Sequence, residues 1–106
     1  MSGDEGRSDA VFAALADPTR RAVVVRLSAD GPTTATQIAA GLPITRQAVA
    51  KHLGVLSDAG LVAADRRGRE SLYRLTPEPL GDAVSWMATV GAAWDQRLGA
   101  LRSLFP

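Results

Sequence analysis

The side chains best suited to chemistry in this sequence are hydrogen-bond donors, gathered in two places. Thr45, Arg46, Gln47, Lys51 and His52 fall within ITRQAVAKHLGVLSDAG (44–60), and Arg66, Arg67 and Arg69 surround Gly68. Arg and Gln bond base edges through paired polar atoms, and clustered guanidiniums suit phosphate oxygens. Other chemistries fare poorly. The chain has one histidine and no cysteine. Disulfides, thiolate metal sites and cysteine nucleophiles are excluded together. Serines and carboxylates are present, but no set of nucleophile, base and orienting group is visible, so no enzyme is expected. His52, without a thiol, a second histidine or a carboxylate pair, makes a poor transition-metal site. The expectation is no metal and no cofactor, with His52 serving as a phosphate contact or in helix packing.

A helix must carry the first group. At helical period Val49, Leu53 and Leu56 form one apolar stripe, and Arg46, Gln47, Ala50 and Lys51 lie opposite. Thr45 stands where an N-cap hydroxyl would accept a free N–H of the first turn, and Ile44 with Val49 fits a hydrophobic staple. Gly60 suits the left-handed position just past the C-terminus. The front of such a helix fits the major groove of DNA. The second group belongs to a hairpin. LVAADRRGRESLYRLT reads as two short strands, with Arg66-Arg67-Gly68-Arg69 at the tip. An ordinary solvated turn is the plainer reading. Three arginines beside a donor-rich helix favour a wing that lies along phosphate or in the minor groove.

The other elements follow in order. Residues 1–8 read as a disordered tail. AVFAALA carries Val11, Phe12, Leu15 and Ala16 on one stripe, giving a first helix over 9–16. Asp17 caps a second helix that Pro18 opens, with Ala22, Val23 and Leu27 inward and Arg20 and Arg21 outward. Thr33 and Thr34 form a short strand or a cap, and TATQIAAGL is a third helix with Ile38 and Leu42 inward. Gly41 and Pro43 separate it from the Thr45 helix by a helix-turn-helix spacing. After Pro77 and Pro79 a last helix runs over 79–105. Leu80, Val84, Met87, Gly91, Trp94, Leu98, Leu101 and Phe105 recur at spacings 4-3-4-3-4-3-4, a heptad seam. Leu80 and Val84 suit an intramolecular core. From Trp94 onward the seam favours a second copy of the chain, with Gly91 allowing close approach. Val11 and Leu15 of the first helix are expected in the same interface.

The 106 residues suit one small domain that gains from oligomerisation. No apolar run approaches the length of a membrane span, and MSGDEGRSD does not resemble a signal sequence, so a cytoplasmic protein is expected. The net charge of +1 hides its distribution. Residues 45–76 hold six cations against three acids, a balance of +3, whereas residues 1–9 and 77–106 are net acidic. The basic charge lies where a polyanion would touch.

These motifs carry a family resemblance. LADPTRRAVVVRL (15–27), TATQIAAGLPITRQAVAKHLGVLSDAGLV (34–62) and DRRGRESLYRLT (65–76) resemble the ArsR/SmtB family of bacterial transcriptional repressors. The resemblance implies a mainly α (α+β) winged helix-turn-helix over 9–106: four helices, a β-hairpin wing and a C-terminal dimerisation helix, with dimer contacts at 9–16 and 79–105. It further implies a homodimer that binds an inverted-repeat operator and is released by an effector. The effector is not legible in the chain. Well-known members bind metal through thiolates on the helix before the turn or near the N-terminus, or through His and carboxylates on the last helix. TATQIAAGL has neither Cys nor His, and the last helix has Asp82 and Asp95 without His, so a metal-independent member is expected. Arg46 and Gln47 would read bases, while Thr45, Lys51, His52, Arg66, Arg67 and Arg69 would hold phosphate. A winged helix used for protein docking is the competing class, disfavoured by so polar a front.

Overall fold

The computed structural model describes residues 3–103, apart from the side chains of residues 3–7 and 101. Element order is α1 (Gly3–Leu15), α2 (Pro18–Asp30), α3 (Ala35–Ala40), α4 (Arg46–Asp58), β1 (Val62–Arg67), β2 (Glu70–Leu75) and α5 (Glu78–Arg102). The order and the hairpin agree with the winged helix-turn-helix expected. Helix α1 begins at Gly3 rather than at Asp9. Ser8 is buried, so packing continues one turn beyond the apolar stripe and carries the helix with it. Residues 1 and 2 of the expected tail lie outside the described residues, as does Phe105 of the heptad seam.

Local signals set most boundaries. Asp17 accepts from the Thr19 amide at 2.9 Å, and Pro18 occupies the first turn of α2. Thr34 and Gln37 form a reciprocal capping box that starts α3, so the short helix satisfies its own first donors. Thr45 Oγ1 accepts from the Ala48 amide at 3.1 Å and starts α4. At the far end of α4, Leu61 N donates to Leu56 O and Gly60 N to Ser57 O, both at 2.9 Å. This is a Schellman closure, and it needs the left-handed backbone that Gly60 supplies at φ 78°. Leu56 and Leu61, the pair that such a closure brings together, are both fully buried.

One core joins these elements. Val11 and Ala14 of α1, Val23 and Leu27 of α2, Ile38 of α3, Val49, Leu53 and Leu56 of α4, Leu61 in the turn after α4, Val62 of β1 and Ala83 of α5 make up most of it. The inward positions expected for α2, α3 and α4 are met at Val23, Leu27, Ile38, Val49, Leu53 and Leu56; Ala22 and Leu42 are only half-buried. Two expectations need correction. Val11 faces the chain's own core at 0% exposure and offers nothing to a partner. The α1 stripe is split between two neighbours: Val11 and Ala14 turn inward, and Phe12 meets Trp86 of α5 edge to face at 5.6 Å. Arg20 and Arg21 are not simply outward. Arg20 Nε donates to Ala14 O and Arg21 Nη1 to Leu15 O, each at 2.6 Å. Positive groups thereby satisfy carbonyls that the end of α1 leaves open.

Helix α5 spans 25 residues, about 37 Å at the α-helical rise. Its first third packs on the domain, through Leu80, the buried Ala83 and the edge of Trp86 against Phe12. Along the helix Val84, Trp86, Met87, Val90, Trp94 and Leu98 are exposed.

Candidate nucleic-acid interface

The hairpin is short and tightly registered. Arg67 pairs with Glu70, which leaves Gly68-Arg69 as a two-residue loop. Gly68 has φ 62°, the first central position of a type II′ turn, where a side chain would be strained. Val62 at the root of β1 is buried, and the strand is exposed from Ala64 outward. Arg74 Nε bonds Asp65 Oδ2 across the strands at 3.2 Å, and Arg66 Nε donates to Gly68 O at 3.0 Å.

Two contacts fix the hairpin relative to α4. At its root Thr76 N donates to Leu61 O at 2.8 Å, and Thr76 Oγ1 bonds Gly60 O, so the second strand closes on the Schellman turn of α4. On its open edge Thr33 makes an antiparallel bridge with Tyr73, with Thr33 N to Tyr73 O at 3.1 Å and Tyr73 N to Thr33 O at 2.8 Å. Thr33 is thus the strand and Thr34 the cap; the two readings of that dipeptide are both realised, one residue each. The wing root is gripped from two sides, and its arginine-bearing tip stands clear.

Helix α4 presents its front to solvent. Thr45, Arg46, Gln47, Ala50 and Lys51 are exposed, and the opposite face is wholly buried. The eight residues expected to meet DNA do not all share one surface. Gln47 and Lys51 lie on the open front of α4, and Arg66, Arg67 and Arg69 on the wing tip. Thr45 spends its hydroxyl on the helix cap. Arg46 bends away toward α3, where its Nε donates to Thr36 Oγ1 at 3.0 Å. His52 is half-buried and turned to the start of α2: its Nδ1 lies 3.8 Å from Asp17 Oδ2, within ion-pair range and too long for a hydrogen bond. Asp17 also caps α2 and pairs with Arg20 at 3.3 Å, so one carboxylate meets α2 and α4 together.

Between α3, α4 and the wing lies a cleft of about 160 Å³, lined by Arg46, Arg66, Arg69, Glu70, Thr34, Thr36, Ser71 and Tyr73 among others. Sequence reasoning passed over Thr36, Ser71 and Asp17 as site residues. Thr36 and Arg46 are ten residues apart, and no helical or strand period links them. The one available clue for Asp17 was its place as an N-cap, which says nothing of His52.

Of the residues expected at a subunit interface, Val84, Met87, Trp94 and Leu98 are exposed along α5, and a Cβ on Gly91 would meet open space. Leu15 is half-buried against the core. The side chain of Leu101 and all of Phe105 lie outside the described residues. Among the described residues no helix is long and apolar enough to cross a membrane.

Comparison with known proteins places this architecture. Residues 15–63 match a family of helix-turn-helix domains. The chain is 43% identical over 81 residues to the uncharacterized HTH-type transcriptional regulator YuzN of Bacillus subtilis, across 71% of this chain and 88% of that protein. It is 35% identical over 77 residues to the transcriptional repressor SdpR of the same organism, across 73% and 84% of the two chains. An ArsR-like transcriptional regulator from Rhodococcus sp. RHA1 superposes with a TM-score of 0.83 at 36% identity, covering 98% of this chain and 97% of that one.

Proposed function

The chain belongs to the ArsR/SmtB family of winged helix-turn-helix, DNA-binding transcriptional regulators, and we propose that it is a homodimeric repressor of an inverted-repeat operator, working without the metal sites of its better-known relatives. The observation that carries this reading is the division of labour within α4. Its apolar stripe of Val49, Leu53 and Leu56 is spent on its own domain, and its exposed front holds Gln47 and Lys51 beside the wing arginines. A two-fold dimer would set two such fronts into successive major grooves, about 34 Å apart. Gln47 then meets base edges, and Lys51 with Arg67 meets phosphates, which fix register and most of the affinity. The exposed apolar residues of α5 supply the dimer contact, since a single chain leaves Val84, Trp94 and Leu98 in water. Metal independence rests on donor chemistry: the chain has no cysteine, and its one histidine sits on α4 beside Asp17.

Fluorescence anisotropy tests the whole reading. The purified chain is titrated against the DNA upstream of its own gene and against scrambled DNA, over a salt series, with and without zinc. The expected result is tight, selective, zinc-indifferent binding that falls steeply with salt. Gln47→Ala costs about 1–3 kcal/mol on the operator and narrows the gap to scrambled DNA. Equal, weak binding to both DNAs defeats the operator assignment and favours a protein-docking role. Release by zinc defeats metal independence.

A further inference from the structure

We infer that the cleft between α3, α4 and the wing is a phosphate-binding site, occupied in the DNA complex by one backbone phosphodiester, and that Arg46 is one of its ligands rather than a reader of bases. The phosphodiester half of this inference rests on the DNA-binding reading above; the anion site itself does not.

Four observations converge. First, Arg46, Arg66 and Arg69 line one cleft although they come from a helix start and the two sides of a hairpin tip. Against them stands one carboxylate, Glu70, so the lining is net +2. Second, two of these arginines are already held. Arg46 gives its Nε to Thr36 Oγ1 and Arg66 gives its Nε to Gly68 O, both at 3.0 Å. Each tether leaves the terminal Nη pair for a ligand and removes side-chain entropy that binding would otherwise cost. The tether also turns Arg46 off the front of α4, which base reading requires. Third, the remaining lining suits oxyanions: Ser71 and Tyr73 bring hydroxyls, and the first turn of α4 adds the positive end of a helix of 13 residues. Fourth, the size fits. The cleft, about 160 Å³, admits one phosphate group. Glu70 sharpens the choice. It opposes the site's field, so a singly charged diester suits the cleft better than a multiply charged group.

The test begins with the full chain and inorganic phosphate. In a ¹H–¹⁵N NMR titration against sodium chloride of matched ionic strength, saturable shifts are expected at the amides of Thr36, Arg46 and Ser71. They vanish in Arg69→Ala and grow in Glu70→Gln. The same spectra report whether each variant is folded. Anisotropy then compares operator with scrambled DNA. Arg46→Ala should weaken both by the same factor, about tenfold, and lower the salt slope of the dimer by about 1.8, one contact from each subunit. Thr36→Val keeps every charge, so it should weaken both DNAs by a smaller common factor and leave the slope unchanged. No saturable phosphate response in the wild-type chain overturns the site. A loss in Arg46→Ala confined to the operator overturns the assignment of Arg46 and restores it as a base reader. If phosphate fills the cleft but the chain binds no DNA, the repressor reading fails and the anion site stands.

Discussion

Helix α4 places Val49, Leu53 and Leu56 at 0% exposure, whereas α5, nearly twice as long, leaves Val84 at 57%, Trp94 at 56% and Leu98 at 42%. Both helices show a regular apolar stripe in sequence. In α4 the stripe is short enough for one domain to cover, and its polar front is what remains for a partner. In α5 the domain covers Leu80 and Ala83 and reaches Trp86 through Phe12, and beyond that the apolar stripe itself stands in water. The first arrangement suits a polyanion, the second another apolar surface. The same pattern of periodicity therefore serves opposite ends, and the extent of the domain beneath the helix decides which.

Substitutions can break this contrast. The largest effect is expected at the buried end: Leu53→Ala should cost about 2–5 kcal/mol of unfolding free energy, read from urea denaturation, whatever the protein concentration. A cost below about 1 kcal/mol would mean that the α4 stripe is less committed to the core than its burial implies. Trp94→Glu should act in the reverse sense. It places an unpaired charge in the proposed seam, costs the dimer about 2–3 kcal/mol, and leaves the single domain folded. Sedimentation equilibrium should find monomers with unchanged helical circular dichroism; an intact dimer mass would remove α5 as the interface. Arg67→Ala, on the open wing tip, should weaken binding to all DNA sequences and reduce the salt slope of the dimer by about 2, one contact from each subunit, with no change in melting temperature. The smallest and most discriminating pair is Gly54→Ala and Gly91→Ala. Neither glycine has an atom within 4 Å of an added Cβ, so each change should stabilise its helix by about 0.5–1 kcal/mol. If Gly91 marks close approach of two α5 helices, its substitution alone should also weaken the dimer, seen as a higher dissociation constant. Equal behaviour of the two would dissolve the contrast at that position.

What was legible in the sequence was local. Thr45, Asp17 and Gly60 announce the ends of their helices because capping involves residues two to four apart, and the two strands around Gly68 follow from one turn. The α4 front was legible for the same reason. Direction across the tertiary structure was not. Val11 and Phe12 are neighbours on an apolar stripe, and nothing in their spacing tells which meets the core and which meets Trp86. Arg46 reads as a base-facing residue by its place in the first turn, yet Thr36 on α3 claims its Nε. Arg20 and Arg21 read as solvated cations until the end of α1 is brought beside them. In each case the deciding partner lies on another element, beyond the reach of any short-range period.

The closure at the end of α4 has a mechanical side. Leu61 ties the helix to its own last turn, and Thr76 ties the wing to Leu61 and Gly60. Helix and wing therefore turn as a single block, and a signal cannot easily slide one past the other. In a pair of such blocks joined through α5, the free coordinate is the angle between them. In the proposed dimer the long helix would work as a lever arm: a small rotation near Trp94 would become a larger displacement at Gln47, and a ligand that touches neither α4 nor the wing could still pull the two fronts out of step.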